Sequence, residues 1–252
     1  MTALVAFADL DDTLFQTLRK LPGRDPADLS PATVDTRGEP HSYCAPAQTA
    51  LLELLRLGAV TVIPVTGRDP AAMNRVTLPF RSWRVLDHGL TVLNPAGEPD
   101  AEWAARVTAH LTPLQDALRE HTDDLRPHAD ALGGRLKVHK AHGVPFMAVL
   151  KHPDANAQAL AELQTRWEAA VEGNAHLHVI ANANNVSLLP RALGKAQAVR
   201  WLRDRHFPHA TLTLGLGDSV SDLPFMRECD FALTPAHGQL LRAVAGLHLP
   251  QR

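Results

Sequence analysis

The 252-residue chain is predicted to be an α/β protein in which an α+β domain is inserted into a parallel-sheet core. Short apolar runs that end in polar residues, such as 4–8 before Asp9, are typical of buried parallel strands. A helical pattern over 47–55 joins this run to a second at 60–65, as in a βαβ unit. Between about 94 and 186 the pattern changes to helices and paired strands, and the α/β pattern then returns.

The composition excludes several classes of protein. Apolar residues make up 45% of the chain and charged residues 21%, which suffices for a buried core and disfavours disorder. The net charge of −2 lacks the basic surplus of a nucleic-acid-binding protein. No apolar stretch reaches the roughly 18 residues of a membrane span, and the start lacks a basic signal-peptide segment. Because Cys44 and Cys229 cannot form a disulfide framework, we expect a cytoplasmic protein.

The inserted domain is expected to contain a helix, two strands, a second helix and two more strands. Residues 100–121 have a helical pattern, although Pro113 must kink this helix or begin a new one. The strands are predicted in two antiparallel pairs, at 135–139, 144–150, 176–181 and 184–189. We therefore place the core in 1–93 and 187–252 and the inserted domain in 94–186.

Two further stretches complete the predicted core. Residues 16–45 are polar and rich in turn residues, so we expect a long excursion that is not a core element and forms a lid or a partner surface. After the inserted domain, a helix is expected over 195–206, a strand over 211–216 and a short helix over 221–228.

Four groups of polar residues follow predicted strands or begin a predicted helix. They are the D-x-D-x-T pattern of Asp9, Asp11 and Thr13, then Thr66, then Lys195, and finally GDSVSD at 217–222. Each group alone is typical of a turn or a helix cap. Because open α/β sheets bind ligands outside the carboxyl ends of their strands, the groups together predict a single site.

This site would gather at least four carboxylates, from Asp9, Asp11, Asp218 and Asp222. Such like charges are costly to bring together unless a cation lies among them. Oxygen ligands with no Cys or His nearby in the sequence favour Mg²⁺ over zinc. With Lys195, a Thr hydroxyl and turn N–H groups added, the expected site suits a phosphoryl group.

The order DLDDT, Thr66, Lys195 and GDSVSD resembles the haloacid dehalogenase superfamily of aspartyl-phosphate phosphotransferases, over essentially the whole chain. An α+β insert between the second and third motifs is similar to the branch that contains Cof-like and sucrose-phosphate phosphatases. The resemblance implies a Rossmann-like parallel-sheet core with a cap domain over 94–186. It also implies Mg²⁺-dependent hydrolysis of a small phosphate ester, which we expect to be a sugar phosphate. The sequence departs from many relatives at Asp12, where they have Gly.

The resemblance also implies a role for each motif residue. Asp9 would be the nucleophile, and Asp11 would be the general acid and base for the leaving group and water. Thr66 and Lys195 would stabilise the phosphoryl oxygens. The Mg²⁺ site would comprise Asp9, Asp11 through its backbone carbonyl, Asp218 and, as an orienting group, Asp222.

Substrate contacts are expected from two regions. Near Thr66 the candidates are Gly67, Arg68 and His88. In the cap, polar and apolar residues alternate along the strands, and we expect the apolar set to pack on the cap helices and the polar set to face the site or solvent. The polar candidates there are Lys137, His139 and Asn182.

Two other functions remain open at this stage. A phosphosugar mutase would differ in how far water is excluded, which the sequence does not reveal. A non-catalytic phosphosugar-binding protein is disfavoured by the intact set of Asp9, Asp11, Lys195 and Asp218. The sequence does not separate a monomer from a homodimer. Zinc is disfavoured because the paired histidines lack a third ligand at convincing spacing, and the absence of G-x-x-x-x-G-K-[ST] excludes a P-loop kinase.

Overall fold

The computed structural model of the protein describes residues 3–182 and 185–245. The chain divides into two compact units. The core unit is Met1–Asp100 with Lys195–Arg252, and the inserted unit is Ala101–Gly194. The sequence placed the two boundaries after residues 93 and 186, and the units of the structure meet seven and eight residues later, after Asp100 and Gly194.

The strands are β1 (Ala3–Ala8), β2 (Gln16–Thr17), β3 (Ser30–Val34), β4 (Pro40–Cys44), β5 (Thr61–Pro64), β6 (Arg84–Leu86), β7 (Thr91–Leu93), β8 (Arg135–Ala141), β9 (Val144–Lys151), β10 (Leu177–Asn182), β11 (Asn185–Pro190), β12 (Ala210–Leu216) and β13 (Phe231–Leu233). The α-helices are α1 (Pro46–Leu57), α2 (Pro70–Met73), α3 (Ala101–Leu111), α4 (Gln115–Ala131), α5 (Ala157–Ala170), α6 (Lys195–His206), α7 (Leu223–Met226) and α8 (Gln239–Ala245).

A four-stranded parallel sheet in the order β13-β12-β1-β5 lies at the centre of the core unit. Strand β1 lies between β12 and β5, and its residues Ala6, Phe7 and Ala8 have no exposed surface. All four strands run the same way, and their carboxyl ends therefore lie at one edge. The parallel sheet predicted from the apolar runs is confirmed.

The excursion at 16–45 forms a three-stranded antiparallel sheet in the order β2-β4-β3, which we call the small sheet. Ala32 and Cys44 from this sheet are buried in the same apolar cluster as β1. Strand β3 is also bonded to the chain after α2, through Val34 N–H to Arg75 O at 2.9 Å and Thr77 N–H to Ala32 O at 2.9 Å. The expectation that this stretch is not a core element was therefore wrong, because part of it packs into the core.

The inserted unit contains an antiparallel sheet in the order β10-β11-β9-β8. Helices α4 and α5 share an apolar cluster with this sheet, and the indole N–H of Trp167 donates to the carbonyl of His121 at 3.0 Å. The apolar set of the alternating strands packs against this cluster as predicted, with Leu136, Val138, Leu177 and Val179.

Pro113 separates α3 from α4, as predicted, within the short 3₁₀ turn Thr112–Leu114. Helix α4 then continues beyond the predicted end at 121 and includes Pro127 in its interior. Within the described residues, no helix has both the length and the apolar character needed to cross a membrane.

Candidate active site

Asp9 lies where β1 ends, at the carboxyl edge of the parallel sheet. Its N–H donates to Leu216 O at 2.8 Å, which continues the pairing of β1 with β12 for one residue. The side chain is buried, and its Oδ2 accepts a hydrogen bond from the hydroxyl of Thr13 at 3.2 Å. The D-x-D-x-T spacing thus brings the threonine back onto the first aspartate.

Lys195, the first residue of α6, reaches into the same place. Its Nζ is 2.7 Å from Oδ1 of Asp9 and 2.7 Å from Oδ1 of Asp222. The side chains of the three residues are 12%, 9% and 1% exposed, respectively. The ammonium group therefore pairs with two buried carboxylates that come from different ends of the chain.

Asp222 is held by the turn that follows β12. Its Oδ2 accepts hydrogen bonds from Ser219 N–H at 3.1 Å and from the Ser219 hydroxyl at 2.7 Å. A side chain at Gly217 would meet the Cβ of Asp222 at 2.5 Å, so the close approach requires glycine. Because both oxygens of Asp222 have protein donors, this residue fixes Lys195 in position.

Within the described residues, the carboxylate of Asp218 accepts no hydrogen bond, although the backbone carbonyl of Asp218 accepts one from Leu240 N–H at 2.7 Å. Burial, Asp222 and Asp12 together raise the pKa of this carboxyl to about 6. Oxygens of Asp218, Asp9 and Asp222 lie within 4.8 Å of one another. A cluster of three carboxylates with one ammonium nearby, and oxygen donors throughout, fits a hard divalent cation such as Mg²⁺.

The pKa values at Asp9 and Lys195 also indicate a shortage of positive charge. Burial raises the pKa of Asp9 to about 7, because the opposing effect of Lys195 is smaller and Asp222 adds to the rise. Burial alone would lower the pKa of Lys195, but Asp9 and Asp222 raise it above its ordinary value. A cation bound among the carboxylates would stabilise the ionised form of Asp9.

Thr66 follows β5 and is buried at the same edge of the sheet. Its N–H donates to Val85 O at 2.8 Å, and its hydroxyl oxygen accepts a hydrogen bond from Arg68 N–H at 3.2 Å. A Cβ on Gly67 would lie 2.4 Å from Cε1 of His88, so the imidazole rests directly on this glycine. His88 itself has a left-handed backbone, with φ of 56°. The structure thus brings Thr66, Gly67 and His88 together.

Asp11 and Arg68 form a two-pronged ion pair. Arg68 Nε is 2.7 Å from Oδ2 of Asp11, and Nη2 is 2.7 Å from Oδ1. The carboxylate of Asp11 lies outside the cluster formed by the other three aspartates. Sequence reasoning selected both residues but not their pairing, since 57 positions separate them.

Asp12, the spacer of the D-x-D-x-T motif, lies in a backbone conformation that favours glycine. Its φ is 68°, in the left-handed region that only glycine adopts without strain. The carboxylate of Asp12 pairs with Lys20, which lies in the 3₁₀ turn Leu18–Lys20 of the excursion. Lys20 is a residue that sequence reasoning missed, because a lysine in a polar stretch carries no signal of its partner.

The cap candidates belong to the inserted unit. Lys137 lies on β8 opposite Val149, and His139 lies opposite Met147. Lys137 is exposed and His139 is half-buried. Asn182 ends β10, and its side chain lies outside the described part of the chain. Their roles as substrate contacts stay predictions.

Comparisons with known proteins bear on the fold. The sequence matches no protein-family model and no curated protein. Several solved structures are similar to the chain, and three of them illustrate the likeness. The C-terminal domain of trehalose-6-phosphate phosphatase from C. albicans aligns with a TM-score of 0.60 and 16% identity, over 90% of this chain and 73% of that one.

The sucrose-phosphatase from Synechocystis, solved with sucrose and phosphate, aligns with a TM-score of 0.53 and 21% identity over 98% of both chains. A haloacid dehalogenase-like hydrolase from Bacteroides thetaiotaomicron gives a TM-score of 0.54 and 12% identity, over 98% of this chain and 100% of that one. At these identities the likeness concerns the fold. The chain therefore has the α/β fold of haloacid dehalogenase-like hydrolases, as the order of its motifs predicted.

Proposed function

We propose that this protein is a Mg²⁺-dependent phosphatase that hydrolyses a small phosphorylated metabolite, a sugar phosphate, through an aspartyl-phosphate intermediate. The observation that carries the proposal is the buried Asp9 at the end of the central strand, paired with Lys195 and adjacent to Asp218. Two of the structures that share the fold over nearly the whole chain are named as sugar-phosphate phosphatases, which supports the substrate class.

Asp9 is the proposed nucleophile. A carboxylate oxygen of Asp9 attacks the phosphorus, and the bond from phosphorus to the sugar oxygen breaks as the new bond forms. In the second step water attacks the phosphoryl-aspartate, which releases inorganic phosphate and restores Asp9. The hydroxyl of Thr13 holds the side chain in one orientation throughout.

Asp11 is the proposed general acid and base. It gives a proton to the departing sugar oxygen and then takes one from the attacking water, so that its own state is restored after each turnover. A sugar alkoxide is a poor leaving group, and proton transfer of this kind contributes about 10²–10⁴ in rate. This need distinguishes phosphate esters of sugars from substrates whose leaving group requires no proton.

The phosphoryl oxygens are proposed to contact Lys195, the hydroxyl of Thr66 and the N–H of Gly67. Lys195 offsets the negative charge that builds up between Asp9 and an anionic substrate, and Asp222 keeps it in place. Asp9, Asp218 and the backbone carbonyl of Asp11 would hold Mg²⁺, which when bound neutralises charge on the phosphoryl group and keeps Asp9 ionised.

The proposal is tested by measuring phosphate release from a panel of mono- and disaccharide phosphates with Mg²⁺ present. We expect Asp9→Asn to fold and to lose at least about 10³-fold in turnover, since the nucleophile is lost. Asp116→Asn is the matched control, because this exposed aspartate pairs with Arg119 on the surface of α4. EDTA should stop the reaction, and excess Mg²⁺ should restore it.

Three results would overturn the proposal. They are absence of phosphate release by the unaltered protein from every ester in the panel, near-normal turnover by Asp9→Asn, and rescue after EDTA by zinc alone. Near-normal turnover in the variant would mean that another residue accepts the phosphoryl group or that water attacks directly.

A further inference from the structure

We propose that Arg68 is a positioning residue for proton transfer, which fixes the orientation of the Asp11 carboxylate instead of binding the phosphoryl group. The inference rests on the proposed phosphatase function and deepens it. It changes the expected role of Arg68 from a substrate contact to a group that acts through Asp11.

The contact between the two side chains is of the kind that fixes orientation. Two nitrogens of Arg68 each donate to a different oxygen of Asp11, both at 2.7 Å. A planar guanidinium that binds a carboxylate in this way sets both the position and the plane of the carboxylate. A single lysine contact would leave the carboxylate free to rotate.

Arg68 is itself held firmly, so it can act as the fixed partner. Its side chain is 17% exposed, whereas that of Asp11 is 52% exposed. The guanidinium carbon lies 5.2 Å from the ring centre of Phe15, which is fully buried. Its remaining nitrogen, Nη1, is 3.4 Å from the carbonyl of Ala72. The exposed carboxylate is thus held by a half-buried group that two other parts of the core unit, Phe15 and Ala72, restrain.

The same contacts argue against direct binding of phosphate by Arg68. Each of the three guanidinium nitrogens already has an oxygen acceptor in the protein, two from Asp11 and one from Ala72. A phosphoryl group bound by the Nε–Nη2 edge of Arg68 would have to displace Asp11, the group that is proposed to act on the leaving oxygen. In this account, Thr66 binds the phosphoryl group, and Arg68 in the same loop orients the residue that transfers the proton.

Positioning of Asp11 by Arg68 lowers the entropic part of the barrier to proton transfer. An exposed aspartate can occupy several rotamers, and only those near the leaving oxygen transfer a proton. Loss of the guanidinium should therefore reduce the turnover of substrates whose leaving group needs a proton. The turnover of substrates with a good leaving group should stay nearly unchanged.

The test compares two substrates, glucose 6-phosphate with a poor leaving group and p-nitrophenyl phosphate with a good one. For Arg68→Met we expect kcat on glucose 6-phosphate to fall about 10²-fold, while kcat on p-nitrophenyl phosphate stays within about threefold and KM for both is little changed. Arg68→Lys keeps the charge but not the paired contact, so its kcat on glucose 6-phosphate should lie between those of the unaltered protein and Arg68→Met. Arg75→Met is the control, because the guanidinium of Arg75 donates to the carbonyl of Ala71 at 3.0 Å and not to Asp11.

A second comparison uses Asp11→Asn as the background. If Arg68 acts through Asp11, then Arg68→Met should cause no further loss in a protein that already lacks the carboxylate. A further loss in that background, an equal loss on both substrates, or a rise in KM for both would show that Arg68 contacts the phosphoryl group and would overturn the inference.

The outcomes also separate this inference from the function on which it rests. If the unaltered protein and Arg75→Met release no phosphate from p-nitrophenyl phosphate or from any sugar phosphate of the panel, the proposed function fails and the inference fails with it. If they are active but Arg68→Met loses both activities equally, only the inference fails. Should Arg68→Met unfold, as thermal denaturation would reveal, the ratio of the two activities in Arg68→Lys gives the same decision.

Discussion

Replacing Lys195 by Met removes an ammonium group that contacts two buried carboxylates at 2.7 Å, those of Asp9 and Asp222. Both carboxylates are at most 9% exposed, so water cannot take over the lost contacts. Breaking a buried ion pair by removing one partner costs about 3–5 kcal/mol. We expect Lys195→Met to lower the free energy of unfolding by about this amount at pH 8 in the absence of Mg²⁺.

Two conditions should reduce this loss. Burial already raises the pKa of Asp9 to about 7, so at pH 5.5 this carboxyl is largely neutral in the folded protein and needs no counter-charge. Saturating Mg²⁺ at pH 8 should supply positive charge among the same carboxylates. The assay is urea unfolding followed by tryptophan fluorescence, at both pH values and with and without Mg²⁺.

Lys20→Met is the matched control for the size of the effect. Lys20 also pairs with an aspartate, Asp12, but the two side chains are 47% and 31% exposed. An exposed pair contributes about 0–1 kcal/mol. If Lys195→Met costs no more than Lys20→Met at pH 8, or costs the same at pH 5.5 as at pH 8, then the reasoning from buried charge is refuted.

Two further predictions concern the same loops. Because burial raises the pKa values of Asp9 and Asp218 from 3.8 to about 7 and about 6, the folded protein binds more protons than the unfolded chain between about pH 4 and 7. The free energy of unfolding of the metal-free protein should therefore fall as pH rises through this range, and Mg²⁺ should weaken that fall; a rise in urea titrations would contradict it. Asp12→Gly should be nearly neutral, because relief of the left-handed backbone, about 1 kcal/mol, offsets the lost contact with Lys20. In a Lys20→Met background the same change should stabilise by about 1 kcal/mol, and equal destabilisation in both backgrounds would argue against this account.

The central strands could be predicted because each is a short apolar run that ends in a polar residue. Residues 4–8 and 211–216 were expected as strands, and the structure has Ala3–Ala8 and Ala210–Leu216. Burial on both faces of a parallel sheet produces such runs. The convergence of Asp9 and Lys195, 186 positions apart, followed from the common edge of the sheet together with the order of the motifs.

The small sheet and the charge pairs could not be predicted in the same way. Strands β3 and β4 contain Pro31 and Pro40, and proline within a short run argues against a strand. Helix α4 passes through Pro127, which a sequence pattern treats as an end. The partners of Arg68 and Lys20 depend on side-chain directions in loops, where no periodic pattern exists.

The excursion at 16–45 is bonded to two loops of the proposed site. Lys20, just after β2, contacts Asp12 in the loop that begins at Asp9, and β3 is bonded to the chain just beyond α2, which follows the loop of Thr66 and Arg68. A deletion or proteolytic nick within 16–45 would therefore loosen both loops at once. Protein engineers who wish to shorten this chain should therefore expect such trimming to disturb the proposed site, although none of its candidate residues lies in 16–45.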